Sequence, residues 1–338
     1  MQAVRLHGIR ALAVDEVPAP ARPGPGEVLV RVSAAGICGS DVHNYLTGQW
    51  LSGPPRVAGH EFCGVAEATG EGVSHVAAGD LVVADSRFYC GTCEACRAGR
   101  HNICSHLGFV GEACDGGFAG HVVLPARLVF AAVPGTDPRI AAMSEPMAVA
   151  LHAVRRLKAP AGRPVLVAGC GIIGALTALL LTQQHDGPVL VADRNAARAA
   201  RVAAASGAAV TATDAEALRQ IAHAVDATGS TALIGHLVQA MAGGGTLVLV
   251  GIAHGRLDID PNLIVEKEMA VLGSHAFSTA DLEDAIPLAA RHAGVLAGWI
   301  DRVYPLAEAP AAYERMISGT AEGLKAILQP GGATDESP

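Results

Sequence analysis

The chain has 338 residues, of which 51% are hydrophobic, 17% are charged and 40 are glycine, and its formal net charge is −8. This length predicts two domains with a core each, and the composition excludes a disordered chain. The negative charge excludes the basic surface that nucleic acids and anionic membranes attract. We therefore expect an acidic α/β enzyme whose partner is a small molecule, with no nucleic acid and no membrane.

Three features of the sequence bear on the location of the protein. Residues 1–17 lack the apolar segment and the cleavage site of a secretory signal. The longest apolar run, residues 165–181, is interrupted by three glycines and falls short of a membrane span. The clustering of four of the eight cysteines favours reduced thiolates on a metal over disulfides. We expect a cytoplasmic protein.

The first part of the chain, up to about residue 148, is predicted to form short strands and turns. Residues 27–33 alternate apolar and polar side chains, and residues 57–61, 65–68 and 81–84 continue this pattern with glycines between them. Such alternation is typical of strands with one buried face. We expect an irregular, mostly antiparallel β-domain.

Two short motifs in this region carry metal-capable side chains. Cys38 begins the segment Cys-Gly-Ser-Asp-Val-His, and His60 and Glu61 follow Gly59. A thiol, an imidazole and a carboxylate supply the mixed ligand set of an open zinc site, which can lower the pKa of an alcohol or polarise a carbonyl. Cys38 alone would be interpreted as a small buried residue, and His60 alone as a core histidine. Their combination favours the metal site.

Four cysteines then follow within a short lobe, residues 86–106. Cys90, Cys93, Cys96 and Cys104 are separated by two, two and seven residues. This spacing is typical of a tetrahedral zinc, and four thiolates leave no open position for a substrate. We expect a structural zinc here, with disulfides as the weaker alternative.

From residue 164 onward the pattern changes to alternating strands and helices. Strands are predicted at 165–168 and 189–192 with helices at 172–184 and 196–205 after them, and residues 225, 247–250 and 271–272 begin or form later strands. This alternation predicts a parallel sheet covered on both faces. The short link between Asp214 and Val225 predicts a shortened helix. A helix at 282–292 and a last strand are expected to return to the first domain.

The first turn of this second domain carries the glycine pattern Gly169-Cys-Gly171-Ile-Ile-Gly174 between a strand and a helix. In that position it predicts a dinucleotide site, with the phosphates at the helix N-terminus. Asp193 ends the next strand, where it can accept hydrogen bonds from a ribose diol. This favours NAD over NADP, although Arg194 and Arg198 leave NADP open.

These motifs together resemble the zinc-containing medium-chain dehydrogenases, in particular the branch of sorbitol (polyol), L-idonate 5- and L-threonine dehydrogenases. The resemblance covers about residues 2–329. Its specific markers are residues 36–43, residues 59–61, the four-cysteine lobe, residues 115–119 and residues 145–153.

The resemblance implies a GroES-like catalytic domain, residues 1–148 and 278–338, and a Rossmann domain, residues 149–277. It also assigns roles around the catalytic zinc. Cys38 and His60 match zinc ligands, and either Glu61 or Glu145 would complete the set. Asp41 matches the acid that orients the zinc-bound histidine.

Ser40 and His43 match the proton relay of this family, which carries the alcohol proton away from a site sealed from water. The alternative is that both side chains merely cap a turn. The resemblance also implies nucleotide contacts that are mostly made by the backbone. These contacts are expected from Ile173, from Val250, Gly251 and Ile252, and from Ser274, His275 and Ala276.

The sequence departs from the polyol pattern at two positions. Asn44 stands where a tyrosine usually follows the relay histidine, and Ala276 with Phe277 stand where an arginine is usual. These departures weaken the assignment of a sugar alcohol or sugar acid as substrate. Phe109 and Trp50 are candidate walls of the substrate pocket, with an ordinary core position as the alternative.

We therefore expect a zinc-dependent oxidoreductase that moves hydride between a secondary alcohol, in a polyol or sugar acid, and NAD or NADP. Within enzymes, the alternative is an L-threonine 3-dehydrogenase or a simple alcohol dehydrogenase. Outside enzymes, the alternative is a catalytically silent protein that binds zinc and nucleotide. The last Rossmann strand, near Val271, is expected to pair with a copy of itself in a homodimer or homotetramer.

Overall fold

The computed structural model describes residues 1–51, 53, 55–253 and 255–331. Contacts between residues divide the chain into two compact units. The first contains residues 1–145 together with the described residues from Ser278 on, and the second contains residues 146–277. The expected boundaries were 148/149 and 277/278.

The strands and helices are numbered here in chain order. The strands are β1 (Gln2–Gly8), β2 (Ala11–Glu16), β3 (Glu27–Gly36), β4 (Glu61–Thr69), β5 (Leu81–Ala84), β6 (Arg87–Phe88), β7 (Gly108–Phe109), β8 (His121–Pro125), β9 (Val129–Ala131), β10 (Val165–Ala168), β11 (Val189–Ala192), β12 (Ala209–Val210), β13 (His223–Asp226), β14 (Thr246–Leu249), β15 (Ala270–Gly273), β16 (Ile300–Pro305) and β17 (Lys325–Gln329). The helices are α1 (Gly39–Thr47), α2 (Glu94–Arg97), α3 (Pro138–Ala141), α4 (Ser144–Leu157), α5 (Ile172–Gln184), α6 (Ala196–Ser206), α7 (Ala215–Leu218), α8 (Thr231–Ala240), α9 (Pro261–Glu266), α10 (Thr279–Arg291), α11 (Ala293–Ala297) and α12 (Ala309–Ser318).

The first unit is built on a seven-stranded, mostly antiparallel sheet. Its strand order is β16-β17-β3-β4-β5-β9, and β8 pairs with β3 as well. Because β17 pairs with β3, the end of the chain joins the sheet formed by its beginning. The core of this unit is a cluster of buried aliphatic and aromatic side chains that includes Val30, Phe62, Phe118 and Tyr304.

The second unit is a six-stranded parallel sheet in the order β12-β11-β10-β13-β14-β15. This is the order of a doubly wound dinucleotide-binding fold, in which the order reverses beside the first strand. Strand β10 is buried along its length, as a strand covered on both faces should be. Helix α7 is only four residues long, so the prediction of a shortened helix is confirmed.

Helices α1, α4 and α10 are among those that differ from the sequence expectation. Helix α1 forms in a region predicted as strands and turns. Asp41 stabilises the start of this helix, because it accepts a hydrogen bond from the backbone N–H of Cys38 at 2.8 Å. Helix α4 was likewise not predicted. Helix α10 begins earlier than expected, because Ser278 and Asp281 form a reciprocal capping box. Within the described residues, every helix is too short or too polar to cross a lipid bilayer.

Candidate metal and nucleotide sites

Three side chains with metal-binding atoms converge in the first unit. Cys38 precedes α1, His60 precedes β4, and Glu61 begins β4. Glu61 is opposite Gly36 in the antiparallel ladder of β3 and β4, which brings the two segments together. One ligand atom from each of Cys38, His60 and Glu61 lies within 4.8 Å of the others. A thiol, an imidazole and a carboxylate at this separation fit a zinc ion.

The ring of His60 is oriented by the first turn of α1. Its Nδ1 lies 3.4 Å from Oδ1 of Asp41. Its Nε2 lies 3.4 Å from Oγ of Ser40. Burial would lower the pKa of His60, but the charge of Asp41 and hydrogen bonds to Asp41 and Cys38 raise it well above the usual value. The negative charges that raise this pKa would also attract a metal cation, which the imidazole binds in its neutral form.

The carboxylate of Glu61 is held by a buried lysine. Nζ of Lys325 donates to Oε1 and Oε2 of Glu61 at 2.9 and 2.6 Å and to the carbonyl of Ile37 at 3.2 Å. Both charged side chains are 1% exposed. A Cβ at Gly36 would lie 2.4 Å from Oε2 of Glu61, so a glycine is needed beside this pair.

Glu145 lies outside the group formed by Cys38, His60 and Glu61 among the described residues. Its Oε1 instead accepts a hydrogen bond from Oγ of Ser86 at 2.6 Å. Burial raises the pKa of Glu145 to about 7, and the charges of His60 and Glu61 act on it in opposite directions. The sequence left open which glutamate touches the metal, and the geometry favours Glu61 over Glu145.

Ser40 and His43 lie on α1, three residues apart, and not on a turn. His43 is 7% exposed. Its Nε2 lies 2.7 Å from Oε1 of Gln49, and its ring lies against Trp50 with 4.9 Å between centroids. Trp50 therefore covers the histidine. The ring of Phe109 lies 6.5 Å from that of His60.

The four cysteines of the lobe come together as thiols. Sγ of Cys104 lies 3.5 Å from that of Cys90 and 3.8 Å from that of Cys93, and Sγ of Cys90 lies 4.0 Å from that of Cys96. Four thiolates at 2.3 Å from a tetrahedral zinc would be separated by about 3.8 Å. Hydrogen bonds, led by one from the backbone N–H of Cys96, lower the pKa of Cys93 to about 5. The lobe thus fits a structural zinc.

The glycine-rich turn of the second unit lies between β10 and α5. A Cβ at Gly174 would lie 1.7 Å from the carbonyl oxygen of Gly169, so the helix packs directly on the turn. A Cβ at Gly171 would meet no atom of the described residues within 4 Å. Gly171 precedes α5 without a side-chain cap, so the first N–H groups of this helix suit phosphate oxygens.

Asp193, the predicted ribose ligand, is tied to an arginine. Oδ1 accepts from Nη2 of Arg198 at 2.8 Å, and Oδ2 accepts from Nε of Arg198 at 3.1 Å and from the backbone N–H of Cys170 at 2.7 Å. Burial would raise the pKa of Asp193, but these hydrogen bonds lower it, so the carboxylate is charged. Arg194 is exposed.

The remaining predicted nucleotide contacts follow β14 and β15. The N–H groups of Val250 and Gly251 donate to the carbonyl of Asp226, which ends β13. Ile252 is 46% exposed. Ser274 donates its N–H to Leu249, and Ala276 has a φ of 48°. His275 follows Ser274, and Ile173 lies in the first turn of α5.

Three residues near the predicted site were missed by the sequence reasoning. Lys325 is far along the chain from Glu61, and no local pattern connects them. Ser86 is the first residue of the lobe, and its hydroxyl gives no signal of its own. Gln49 is exposed, and a lone surface glutamine is unremarkable. Of the three, only Lys325 gives a signal in the sequence, as a charged residue at the start of the apolar strand β17.

Comparison with protein families gives two matches along the chain. Residues 24–135 match the alcohol dehydrogenase GroES-like domain. Residues 173–291 match the zinc-binding dehydrogenase family. The first match contains both cysteine-bearing sites, and the second begins inside the glycine-rich turn.

Characterised relatives match over most of the chain. L-galactonate-5-dehydrogenase from Escherichia coli is 31% identical over 90% of this chain and 92% of the relative. Sorbitol dehydrogenase from Halalkalibacterium halodurans is 30% identical over 96% of this chain and 97% of the relative. L-threonine 3-dehydrogenase from Pyrococcus abyssi is 31% identical over 76% of this chain and 78% of the relative.

Solved structures agree with the observed architecture. A zinc-binding dehydrogenase from Sinorhizobium meliloti 1021, bound to NADP, is 32% identical and superposes with a TM-score of 0.87 over 97% of this chain and 99% of that one. These comparisons confirm the expected fold class, a GroES-like domain with a Rossmann domain.

Proposed function

Because the chain belongs to the zinc-binding dehydrogenases with a GroES-like alcohol dehydrogenase domain, we propose that it oxidises a secondary alcohol, in a polyol or sugar acid, to a ketone with NAD. Membership in this family makes the chain a zinc-dependent oxidoreductase. The observation that carries the proposal is the convergence of Cys38, His60 and Glu61 within 4.8 Å. A silent zinc and nucleotide binder would need no such mixed, open ligand set.

The ligands of the catalytic zinc in this proposal are Cys38, His60 and Glu61. Zinc bound there would make an alcohol more acidic or polarise a carbonyl. Asp41 contacts Nδ1 of His60 and would hold the ring so that Nε2 remains for the ion. Lys325 balances the charge of Glu61 and limits its movement. Glu145, hydrogen-bonded to Ser86, is near enough to His60 and Glu61 for their charges to act on it.

The proton of the alcohol leaves through side chains of α1. Oxidation of an alcohol removes a hydride from the carbinol carbon, which a bound nicotinamide would accept, and a proton from the hydroxyl, which the protein must carry away. The proton passes by way of the Ser40 hydroxyl to the imidazole of His43, which holds it until water takes it. Ser40 suits this role because its Oγ lies 3.4 Å from Nε2 of His60.

The nucleotide is held by the second unit in this proposal. The pyrophosphate would lie at the N-terminus of α5, where Gly171 leaves room for it. Asp193 would accept the hydroxyls of the adenosine ribose, which favours NAD. Arg198 contacts Asp193 and is 35% exposed, so it can turn toward a 2′-phosphate and admit NADP as a weaker cofactor.

The substrate class follows from the relatives that act on polyhydroxylated compounds, sorbitol and L-galactonate. Their names set the range of compounds to test, with L-threonine as the comparison. We propose four- to six-carbon polyols and aldonates as substrates, because a chain of hydroxyls can be recognised by hydrogen bonds without the arginine that Ala276 replaces.

The test is a screen for NADH and NADPH formation with four- to six-carbon polyols, aldonates and L-threonine, together with metal analysis. We expect turnover of a polyol or an aldonate with NAD, about two zinc ions per chain, and no turnover in Cys38→Ser. Turnover of L-threonine alone would overturn the substrate class. One zinc per chain without any turnover would support the silent binder.

The assembly and location of the protein are also proposals. Strand β15 is the edge of the six-stranded sheet, and its residues are half-buried or exposed. Val265, in the preceding helix α9, is 72% exposed. We propose that β15 pairs with its copy in a homodimer or homotetramer, which would cover this edge. A cytoplasmic location suits the thiols of the lobe.

A further inference from the structure

We infer that Gln49 is a positioning residue for the proton relay: it fixes the tautomer of His43 in which Nδ1 receives the proton. The inference rests on the proposed function, because it concerns the histidine of the proposed relay. It assigns a role to a surface residue outside every motif in the sequence.

The segment after α1 folds back over the ring of His43. The helix ends at Gly48, whose φ of 67° reverses the chain. The side chain of Asn44 then accepts a hydrogen bond from the backbone N–H of Trp50 at 2.9 Å. This contact holds Trp50 against the imidazole and brings Gln49 to its edge. Asn44, which departs from the polyol pattern, therefore has a definite function in this chain.

The hydroxyl of Thr47 reveals which nitrogen of His43 carries hydrogen. Its single hydrogen is donated to the backbone carbonyl of His43, with 2.9 Å between the oxygens. The same Oγ1 lies 3.3 Å from Nε2 of His43. Because a hydroxyl has only one hydrogen, Oγ1 can only accept from that nitrogen. This arrangement favours the tautomer of His43 with its hydrogen on Nε2.

Gln49 supplies the stronger acceptor for this hydrogen. Its Oε1 lies 2.7 Å from Nε2 of His43, closer than Thr47. A neutral imidazole with hydrogen on Nε2 has its basic lone pair on Nδ1. A proton arriving by way of Ser40 thus adds to Nδ1 and gives an imidazolium, which water later deprotonates. Gln49 does not touch the reacting atoms, so its effect passes through His43.

The tautomer can be measured without any substrate. The zinc-loaded protein is labelled with ¹⁵N-histidine, and the resonances of His43 are assigned by their loss in His43→Asn. We expect neutral His43 to carry hydrogen on Nε2. Gln49→Glu, which keeps an acceptor, should preserve this state. Gln49→Leu should lower the ratio of the Nε2–H to the Nδ1–H form about fivefold, the effect of one hydrogen bond. Gln183→Leu, an exposed change in α5, is the matched control.

A parent protein with hydrogen on Nδ1 would overturn the inference, as would an unchanged ratio in Gln49→Leu. Gln49→Ala replaces the leucine variant if the latter misfolds. These results do not depend on turnover, so they can fail while the proposed reaction stands.

Kinetics with the substrate found by the screen adds a second readout. In Gln49→Leu we expect kcat to fall about fivefold with KM and the dissociation constant of NAD unchanged. The same substitution in His43→Ala should have no further effect, because Gln49 acts only through that ring. An equal fall of kcat in both backgrounds would overturn the inference.

Discussion

The two candidate sites of this protein are built from different groups, side chains in the metal group and backbone in the nucleotide turn. The metal group consists of side chains, Cys38, His60 and Glu61, with Lys325 contributed by the last strand of the sheet. The nucleotide turn consists mainly of backbone, in one continuous strand–turn–helix from β10 to α5. The first depends on which functional groups are present, and the second depends on the absence of side chains.

This difference predicts how each site tolerates substitution. At the metal group, a substitution lowers the unfolding free energy most when it leaves a buried charge without its partner. At the glycine turn, the hazard is an added Cβ that collides with backbone. The substitutions that follow test this contrast, from the largest effect on stability to the smallest.

Lys325→Met tests the side-chain site most severely. The methionine fills a similar volume but leaves the buried carboxylate of Glu61 without its cation. We expect the zinc-free protein to lose about 3 to 5 kcal/mol of unfolding free energy, measured by urea denaturation. The double variant Lys325→Met with Glu61→Gln should recover most of this loss, because no unpaired charge remains. Equal losses in both variants would refute the charge argument.

Gly174→Ala tests the backbone site. Its Cβ would lie 1.7 Å from the carbonyl oxygen of Gly169, so backbone must move. We expect a loss of about 3 kcal/mol in the unfolding free energy, seen as faster hydrogen exchange in α5. Gly171→Ala is the matched control, since its Cβ meets nothing within 4 Å in the part of the chain that the structure describes. It should leave exchange unchanged and weaken NAD binding, because the added methyl stands where phosphate approaches.

The same contrast explains how much could be predicted from the sequence. Strand β10 and helix α5 have the predicted bounds, because hydrophobic runs and glycines encode them locally. Helix α1 was missed for two reasons. Its apolar positions are few, and the sequence suggests for Asp41 only a role beside a metal ligand. In the structure Asp41 also caps the helix, because it accepts a hydrogen bond from the N–H of Cys38. The sequence shows that a carboxylate is present, but it does not show which backbone group that carboxylate contacts.

The candidate site divides in the same way. Cysteine spacing predicted the lobe, whose thiols do lie at tetrahedral separations. The partner of Glu61 could not be predicted, because Lys325 reaches it only through the pairing of β17 with β3. Long-range pairing of strands leaves no periodic trace in the sequence between the two residues. Contacts of this kind require coordinates.

Asp193→Ala sharpens the comparison, because Asp193 contributes a side chain to a nucleotide site that otherwise consists mainly of backbone. Loss of the carboxylate removes a charged hydrogen-bond acceptor for ribose and releases Arg198. We expect KM for NAD to rise about tenfold and KM for NADP to fall, measured in the same steady-state assay. Asp186→Ala, an exposed charge change in the same unit, is the control. An unchanged KM for NAD would remove Asp193 from the proposed ribose contact.

His223 gives the smallest effect and probes stability far from either site. This histidine begins β13 and is 6% exposed, and burial lowers its pKa. The folded state therefore keeps the ring neutral, while the unfolded chain takes up a proton as the pH falls through about 6.5. Stability contributed by this residue is present at high pH and is lost on acidification.

His223→Gln removes this titration and keeps a polar side chain. Between about pH 7.5 and 5.5 we expect the unfolding free energy of the variant to fall by up to about 1 kcal/mol less than that of the parent. Urea denaturation at several pH values measures both slopes. The carboxylates and the cysteines contribute equally to the two proteins, so the difference isolates His223. Parallel slopes would mean that the ring takes up its proton over the same pH range in the folded and unfolded states, against the burial that surrounds it.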